Sequence, residues 1–381
     1  MPLLLFSALL HTYVGVRLLP GLGGWPMVQV LLGLLLLASA LLIPLGLTAR
    51  RFKSRVLADR MAWTGMLFMG LFSSLFVLTL LRDAVLLAGW LLLLAAPGAF
   101  SSETLRLGSA VAVALAALFM SGLGFFNARR TATVVRVDVP ISGLPAVLHG
   151  FAIAQISDIH VGPTIKHGYL QAIVRTVNTL QVDMVAVTGD LVDGTVAELG
   201  PHVAPLAGLS STHGTYFVTG NHEYYSGAHA WIDELQRLGI RVLMNEHVLL
   251  QHGEVEAHEA VLLAGVADYS AAHFDASHRS DPHAAVAGAP AAVGVRLLLA
   301  HQPRSATEAA RAGFHLQLSG HTHGGQFWPW NLFVRFQQPF TAGLHRMQDL
   351  WIYTSRGTGY WGPPKRFGAP SEITHLRLVP T

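Results

Sequence analysis

The chain has 381 residues, 52% of them apolar and 12% charged, and it contains no cysteine. That length exceeds what one core usually organises, and the missing thiols exclude disulfides and thiolate ligands, so any metal must be held by His, Asp, Asn or Glu. Residues 1–150 carry 11 Lys/Arg against 4 Asp/Glu and residues 151–381 carry 14 against 18, so the net +3 belongs to the apolar half and the second half offers no basic footprint for nucleic acid.

A bilayer core about 30 Å thick is crossed by roughly 20 apolar residues in a helix. Segments 27–47 and 108–126 meet that condition. The run 61–100 is too long for one crossing and contains Arg82-Asp83, which reads as a tight turn between two helices. The opening segment 3–19, with His11 and Arg17, is a first span or an uncleaved signal-like anchor. Residues 1–127 therefore read as an all-α membrane region with about five transmembrane helices, and the long apolar runs place the protein in the cell membrane. Arg50, Arg51, Lys53, Arg55 and Arg60 make the 48–60 loop the most basic, hence cytoplasmic. Five spans then place everything after residue 127 outside the cytoplasm, with Arg129-Arg130 on the disfavoured side. A single span or a re-entrant pair across 61–100 would make the second half cytoplasmic instead. Residues 128–149 read as a linker strand and turn, and 150–381 as the soluble domain.

Short β-forming runs recur through that domain, at 151–156, 184–187, 216–218, 261–263, 295–299, 316–318, 351–353 and 373–378. Helical patterns at 167–180, 228–239 and 304–312 lie between several of them, which predicts an α/β layered domain. In such folds chemistry gathers where strands end. The stretch 271–292, rich in Ala and His, has no periodicity and reads as a loop; His273, His278 and His283 read there as surface residues before ligands. Eighteen of the 20 histidines lie after residue 150, which fits metal chemistry and an ordinary His-containing surface alike.

Five motifs stand just past β-forming runs. Asp158 and His160, two residues apart, can point the same way and hold one metal, or serve as a strand cap and a surface histidine. Asp190 follows Gly189, which lets the backbone turn; its carboxylate is a natural bridge between two cations and equally a natural helix N-cap. Asp193 competes for the bridging role but stands three residues further from the strand end. In Gly220-Asn221-His222-Glu223 the amide oxygen of Asn221 is a neutral ligand, which leaves His222 free to act as a general acid with Glu223 to orient it. His301 precedes Gln-Pro at another strand end. His321 and His323, in Gly-His-Thr-His-Gly-Gly-Gln, alternate as a strand does and so can both face a metal pair. Mixed imidazole and carboxylate donors suit Mn, Fe or Zn better than Mg or Ca.

In this order the motifs resemble those of the calcineurin-like metallophosphoesterases, over residues 150–381. The resemblance implies a two-sheet αββα sandwich. It implies that Asp158, His160 and His323 hold one divalent metal ion, that Asn221, His301 and His321 hold a second, that Asp190 bridges them and that His222 is the general acid. Glu223 stands where many relatives have Asp. The Gly-Gly-Gln after the His pair, Ser355-Arg-Gly-Thr-Gly359 and Arg366-Phe-Gly-Ala-Pro-Ser-Glu372 are similar to a bacterial membrane-associated branch of the family. The expectation is a membrane-anchored hydrolase of a phosphodiester or pyrophosphate, including a lipid-linked one. The competing class is a receptor or transporter-like protein with a non-catalytic metal-binding domain; transport would call for ionisable residues along the spans, and the clear spans hold almost none. A different dinuclear hydrolase, such as an amidohydrolase, would call for a bridging lysine or an extra carboxylate, and only Lys166 lies near a motif.

Overall fold

The computed structural model describes residues 2–251 and 259–381. They form two units, Met1–Asn127 with Gly362–Phe367, and Ala128–Trp361 with Gly368–Thr381.

The first unit is built from α1 (Pro2–Leu18), α2 (Pro26–Leu47), α3 (Arg55–Ala95) and α4 (Ser102–Arg129). Among the described residues these four are long and apolar enough to cross a membrane. Leu31, Leu34, Leu37 and Phe119 all present exposed apolar side chains, as a lipid-facing surface requires. The turn expected at Arg82-Asp83 is absent, so two expected helices are one helix of 41 residues. Arg82 is buried and its guanidinium donates to the carbonyls of Arg17 (2.8 Å) and Arg106 (3.1 Å) and to Ser109 Oγ (2.9 Å). Asp83 accepts from Arg17 Nε at 2.8 Å and from the Tyr13 hydroxyl at 2.6 Å. These partners do what water would do at a turn, and residues 79–86 include no Gly or Pro to break the helix. Lys365, from the segment that joins this unit, is also buried; its ammonium donates to Gly70 O at 2.7 Å and to Ser74 Oγ.

The second unit runs, in chain order, β1 (Thr133–Ile141), β2 (Ala152–Ile156), α5 (His167–Asn178), β3 (Met184–Val187), α6 (Val196–Val203), β4 (Thr215–Phe217), α7 (Asn221–Ser226), α8 (Ala228–Arg237), β5 (Arg241–Val242), β6 (Glu246–Leu250), β7 (Val261–Gly265), α9 (Pro282–Ala285), β8 (Val295–Leu299), α10 (Ala306–Arg311), β9 (Leu316–Ser319), α11 (Trp330–Phe333), β10 (Gly343–Met347), β11 (Leu350–Thr354) and β12 (Glu372–Pro380). One six-stranded sheet has the order β1-β12-β2-β3-β4-β5 and the other β10-β11-β9-β8-β7-β6.

Alternation along each strand divides its residues between two cores. Ile153, Met184 and Ala186 of one sheet share a cluster with Leu263, Leu297 and Leu316 of the other, which makes the interface between the sheets. The intervening Ala154, Val185 and Val187 pack with Leu170 of α5, Val203 of α6 and Trp231 of α8. On the second sheet Leu262, Ala264 and Leu298 pack with Ala285 of α9 and Ala309 of α10. The layers are therefore helix, sheet, sheet, helix. β1 is not a linker: it pairs in parallel with β12 from Thr133 opposite Glu372 to Ile141 opposite Pro380. Nine residues with an alternating valine pattern need a partner for their backbone, and a strand from the far end of the chain supplies it.

Leu297 is fully buried between the sheets, so Leu297→Ala is expected to cost about 2–5 kcal/mol. Arg377→Ala, which breaks a half-exposed ion pair with Asp138, is expected to cost less than about 1 kcal/mol. Thermal unfolding of the purified protein separates the two.

Candidate metal centre

β2 and β3 pair in parallel, as do β3 and β4, and in the second sheet β8 and β9 do the same. The residues just beyond these strands converge. Their backbones are unusual: Asp158, His160, Asp190, His321 and His323 all have φ between 51° and 70°. For residues with a Cβ this left-handed region costs about 1–3 kcal/mol each. It persists because each turn is tied to another. Asp158 N donates to Gly189 O at 3.0 Å and His160 N to Asp190 O at 3.1 Å, while His222 N donates to Asp190 Oδ1 and His321 N to Asp158 Oδ1, both at 2.9 Å. Space is equally tight. A Cβ on Gly320 would stand 2.0 Å from Ser157 Oγ and 2.2 Å from Asp158 Oδ2, and one on Gly189, itself at φ 84°, would stand 2.7 Å from Gly220 N and from His301 Nδ1.

The turned backbone sorts the side chains into two groups. His160 Nε2 lies 3.0 Å from His323 Nε2, which is 3.5 Å from Asp158 Oδ1. His301 Nε2 lies 3.2 Å from both His321 Nδ1 and Asp190 Oδ2. Asp190 stands between the groups, its Oδ2 also 3.9 Å from His160 Nε2. The strand-like alternation expected for His321 and His323 is replaced by left-handed turns beyond the end of β9, which send the two rings to different groups. Asn221 is buried and its Oδ1 has no hydrogen-bond partner among the described residues. Imidazole nitrogens turned on one another and an amide oxygen without a donor are poorly satisfied, whereas the buried Asp190 is paired with His301. These are the donor types that suit divalent cations, and six of the expected residues fall into two groups, Asp158 with His160 and His323, and Asp190 with His301 and His321.

Charge in this pocket is strongly perturbed. Burial pushes Asp158 up, whereas at Asp190 the neighbouring His301 overcomes burial and holds the carboxyl well below its usual range. Burial and the charge of His301 press His321 down to about 3, which keeps its ring neutral and able to ligate. Burial also lowers His222, but the Asp193 hydrogen bond and the Asp190 and Asp193 charges outweigh it and raise the ring to about 9.

The group that orients His222 is Asp193, not Glu223. Asp193 Oδ1 is 2.6 Å from His222 Nδ1 and 3.1 Å from His160 Nδ1. Asp193, three residues past the strand end, reaches these rings because pairing resumes beyond the strands: Val161 bridges Val192 in parallel. Glu223 is fully buried, and its carboxylate accepts from the backbone N–H groups of Gly220 (2.6 Å), Asp190 (3.0 Å), Leu191 (2.8 Å) and Val192 (3.3 Å). It locks the loop that presents Asp190 to the loop that presents Asn221.

The later motifs support the same centre. Thr358 N donates to Ser157 O at 2.7 Å and Gly359 N to Asp158 O at 3.1 Å, which pins the Asp158 turn. Arg356 and the buried Glu372 hold that segment with an ion pair at 2.9 Å. The Gln326 amide makes two bonds of 2.8 Å to the backbone of Trp361, whose ring stands 5.8 Å from that of His222. On its other side His222 meets Tyr225, with ring centroids 5.2 Å apart.

Comparison with known proteins places these residues in context. The profile of the calcineurin-like phosphoesterases matches residues 151–325. A Bos taurus protein described as a transmembrane protein with metallophosphoesterase domain is 38% identical over 310 residues, 79% of this chain and 69% of that protein. A Danio rerio protein of the same description is 38% identical over 260 residues, 67% of this chain and 59% of its own length. An uncharacterized metallophosphoesterase of Helicobacter pylori is 39% identical over 227 residues, 59% of each chain.

Glu223→Ala leaves four buried N–H groups without their acceptor and is expected to lower stability by at least about 3 kcal/mol. Glu223→Gln, whose amide oxygen still accepts, recovers part of that loss; chemical denaturation of the two variants checks both.

Proposed function

Because the chain belongs to the calcineurin-like phosphoesterase family, we propose that it is a membrane-anchored hydrolase that cleaves a phosphodiester or pyrophosphate bond at two divalent metal ions, on a lipid-linked substrate. The observation that carries this reading is the position of Asp190, whose one carboxylate oxygen faces His301 at 3.2 Å and His160 at 3.9 Å. A carboxylate between two imidazole groups is placed to be shared by two cations. Asp158, His160 and His323 would hold one ion, and Asn221, His301 and His321 the other. Such a pair, of Mn, Fe or Zn character, activates water and neutralises phosphoryl charge during in-line displacement.

The chain's own residues do the rest. Asp193 engages Nδ1 of His222, which fixes the ring and leaves Nε2 to meet the leaving oxygen. An imidazole raised to about 9 carries a proton at neutral pH and so can give it to the leaving oxygen as general acid. Tyr225 and Trp361, both more than half exposed, put aromatic surface on the leaving-group side. That surface suits a leaving group with an apolar part. A receptor that only binds metal has no use for a histidine held in one orientation beside the ligands.

The continuous α3 supports a membrane side. On four crossings within residues 2–129, the two that follow the basic 48–60 loop return the chain to the side of that loop. Arg129-Arg130 then joins Arg50, Arg51, Lys53, Arg55 and Arg60 on one face, as the distribution of basic residues favours. The catalytic unit is cytoplasmic on this reading, the reverse of the five-span expectation.

His222→Ala in the purified full chain is expected to keep its metal content while hydrolysis of a bis-aryl phosphodiester with Mn falls by about 10²–10⁴. Unchanged turnover sinks the assignment, and loss of metal makes His222 a ligand instead. For topology, a fluorescent protein fused after Thr381 is expected to fluoresce; an active alkaline phosphatase at the same place would put the unit outside.

A further inference from the structure

A second cluster of metal-ligating side chains lies apart from the centre described above. His229 near the start of α8, Asp275 and His278 place one ligand atom each within 4.8 Å of one another. His229 Nε2 is 2.9 Å and His278 Nε2 4.0 Å from the same Asp275 oxygen, Oδ2. The other nitrogen of His278, Nδ1, is 3.0 Å from the Tyr224 hydroxyl. That is the arrangement of a ligating histidine, in which a partner on one ring nitrogen fixes the ring and leaves the other for the ion.

The surrounding chain needs such a tie. Between Gly265, which ends β7, and Val295, which begins β8, the backbone forms only two short helical turns and the four-residue α9, which is little regular structure for a connection of this length. In the part that holds Asp275 and His278, the apolar Phe274 is half exposed while Ala271 is buried, so little apolar burial holds it down. His273 and His283 stay outside the cluster, His283 facing Glu308 at 3.5 Å.

We propose that His229, Asp275 and His278 form a third, separate site for a divalent cation of zinc type, which fastens the loop after β7 to α8. Two neutral imidazoles and one carboxylate are the donor set that zinc takes with an open fourth position. The site adjoins the catalytic centre through α7: Tyr224, which orients His278, and Tyr225, which flanks His222, both pack against Phe274 of the loop, with ring centroids 5.7 and 5.5 Å apart. An ion here therefore holds in place one wall of the aromatic rim beside His222.

The test counts metal and does not rely on turnover. The full chain, purified in detergent and stripped with chelator, is titrated with zinc, and bound metal is measured by mass spectrometry. The His229→Ala/His278→Ala double variant is expected to bind one equivalent fewer than the wild type, and His229→Cys, which restores a zinc ligand, to bind the wild-type number. The His229 side chain is 72% exposed, and equal melting temperatures of wild type and variants in chelator establish that folding is unaffected. Equal stoichiometry in wild type and double variant overturns the proposal and reduces the cluster to a hydrogen-bonded surface group. Failure of the dinuclear reading is distinguishable: it lowers the number bound by both proteins and leaves the difference of one.

Discussion

Two carboxylates and four imidazoles are brought together beyond the strand ends, in two groups, Asp158 with His160 and His323, and Asp190 with His301 and His321. A buried charge is expensive unless it is paired and hydrogen-bonded, and Asp158 and Asp190, 0% and 2% exposed, accept from the backbone N–H groups of His321 and His222. Placing these side chains has its own cost, in left-handed backbone at five residues. The rest of the soluble unit is arranged to meet it. Two sheets bring five strand ends to one spot, and Glu223, Thr358 and Gly359 then tie the turns to one another through backbone hydrogen bonds. The positions of Asp158, Asp190 and Asn221 depend on these ties.

Asp193 and Glu223 show how environment divides labour between chemically similar groups. Both lie near the same turn. Glu223 is enclosed by four backbone donors and has become part of the scaffold, where burial and the neighbouring Asp190 press its carboxyl up to about 7 against the pull of those donors. Asp193 keeps some exposure and faces two imidazoles, whose charges hold it well below the usual carboxylate range. An ionised group beside His222 keeps the ring protonated, whereas a group already saturated by backbone N–H has nothing left to give it. Proximity in sequence favoured Glu223; hydrogen-bonding capacity decides for Asp193.

That difference marks what a sequence can disclose. The convergence of Asp158, His160, Asp190, His301, His321 and His323 was legible because each follows a β-forming run, and strand ends are where such folds gather their chemistry. The layered fold was legible from the alternation of strands and helices, and the core strands at 184–187 and 295–299 fall where expected. What was not legible depends on partners distant in the chain. Nothing local distinguishes a linker strand from an edge strand, and β1 is an edge strand because β12, more than 200 residues later, has the matching register. Nothing local reveals that Val161 pairs with Val192 and carries Asp193 back to the site. The left-handed turns at His321 and His323 are fixed by contacts with Asp158 and its neighbours, against the preference of the residues themselves.

The same logic decides the membrane region. A charged pair inside an apolar run is costly in a continuous helix if it faces lipid and cheap at a turn if it faces water, so Arg82-Asp83 reads from sequence as a break. Three oxygen acceptors from α1 and α4 and a pair of donors from α1 change that balance, because they satisfy the charges where they stand and remove the reason to interrupt the helix. The apolar run therefore continues through Arg82-Asp83 as one helix of 41 residues, and the break that a charged pair in isolation suggests does not form.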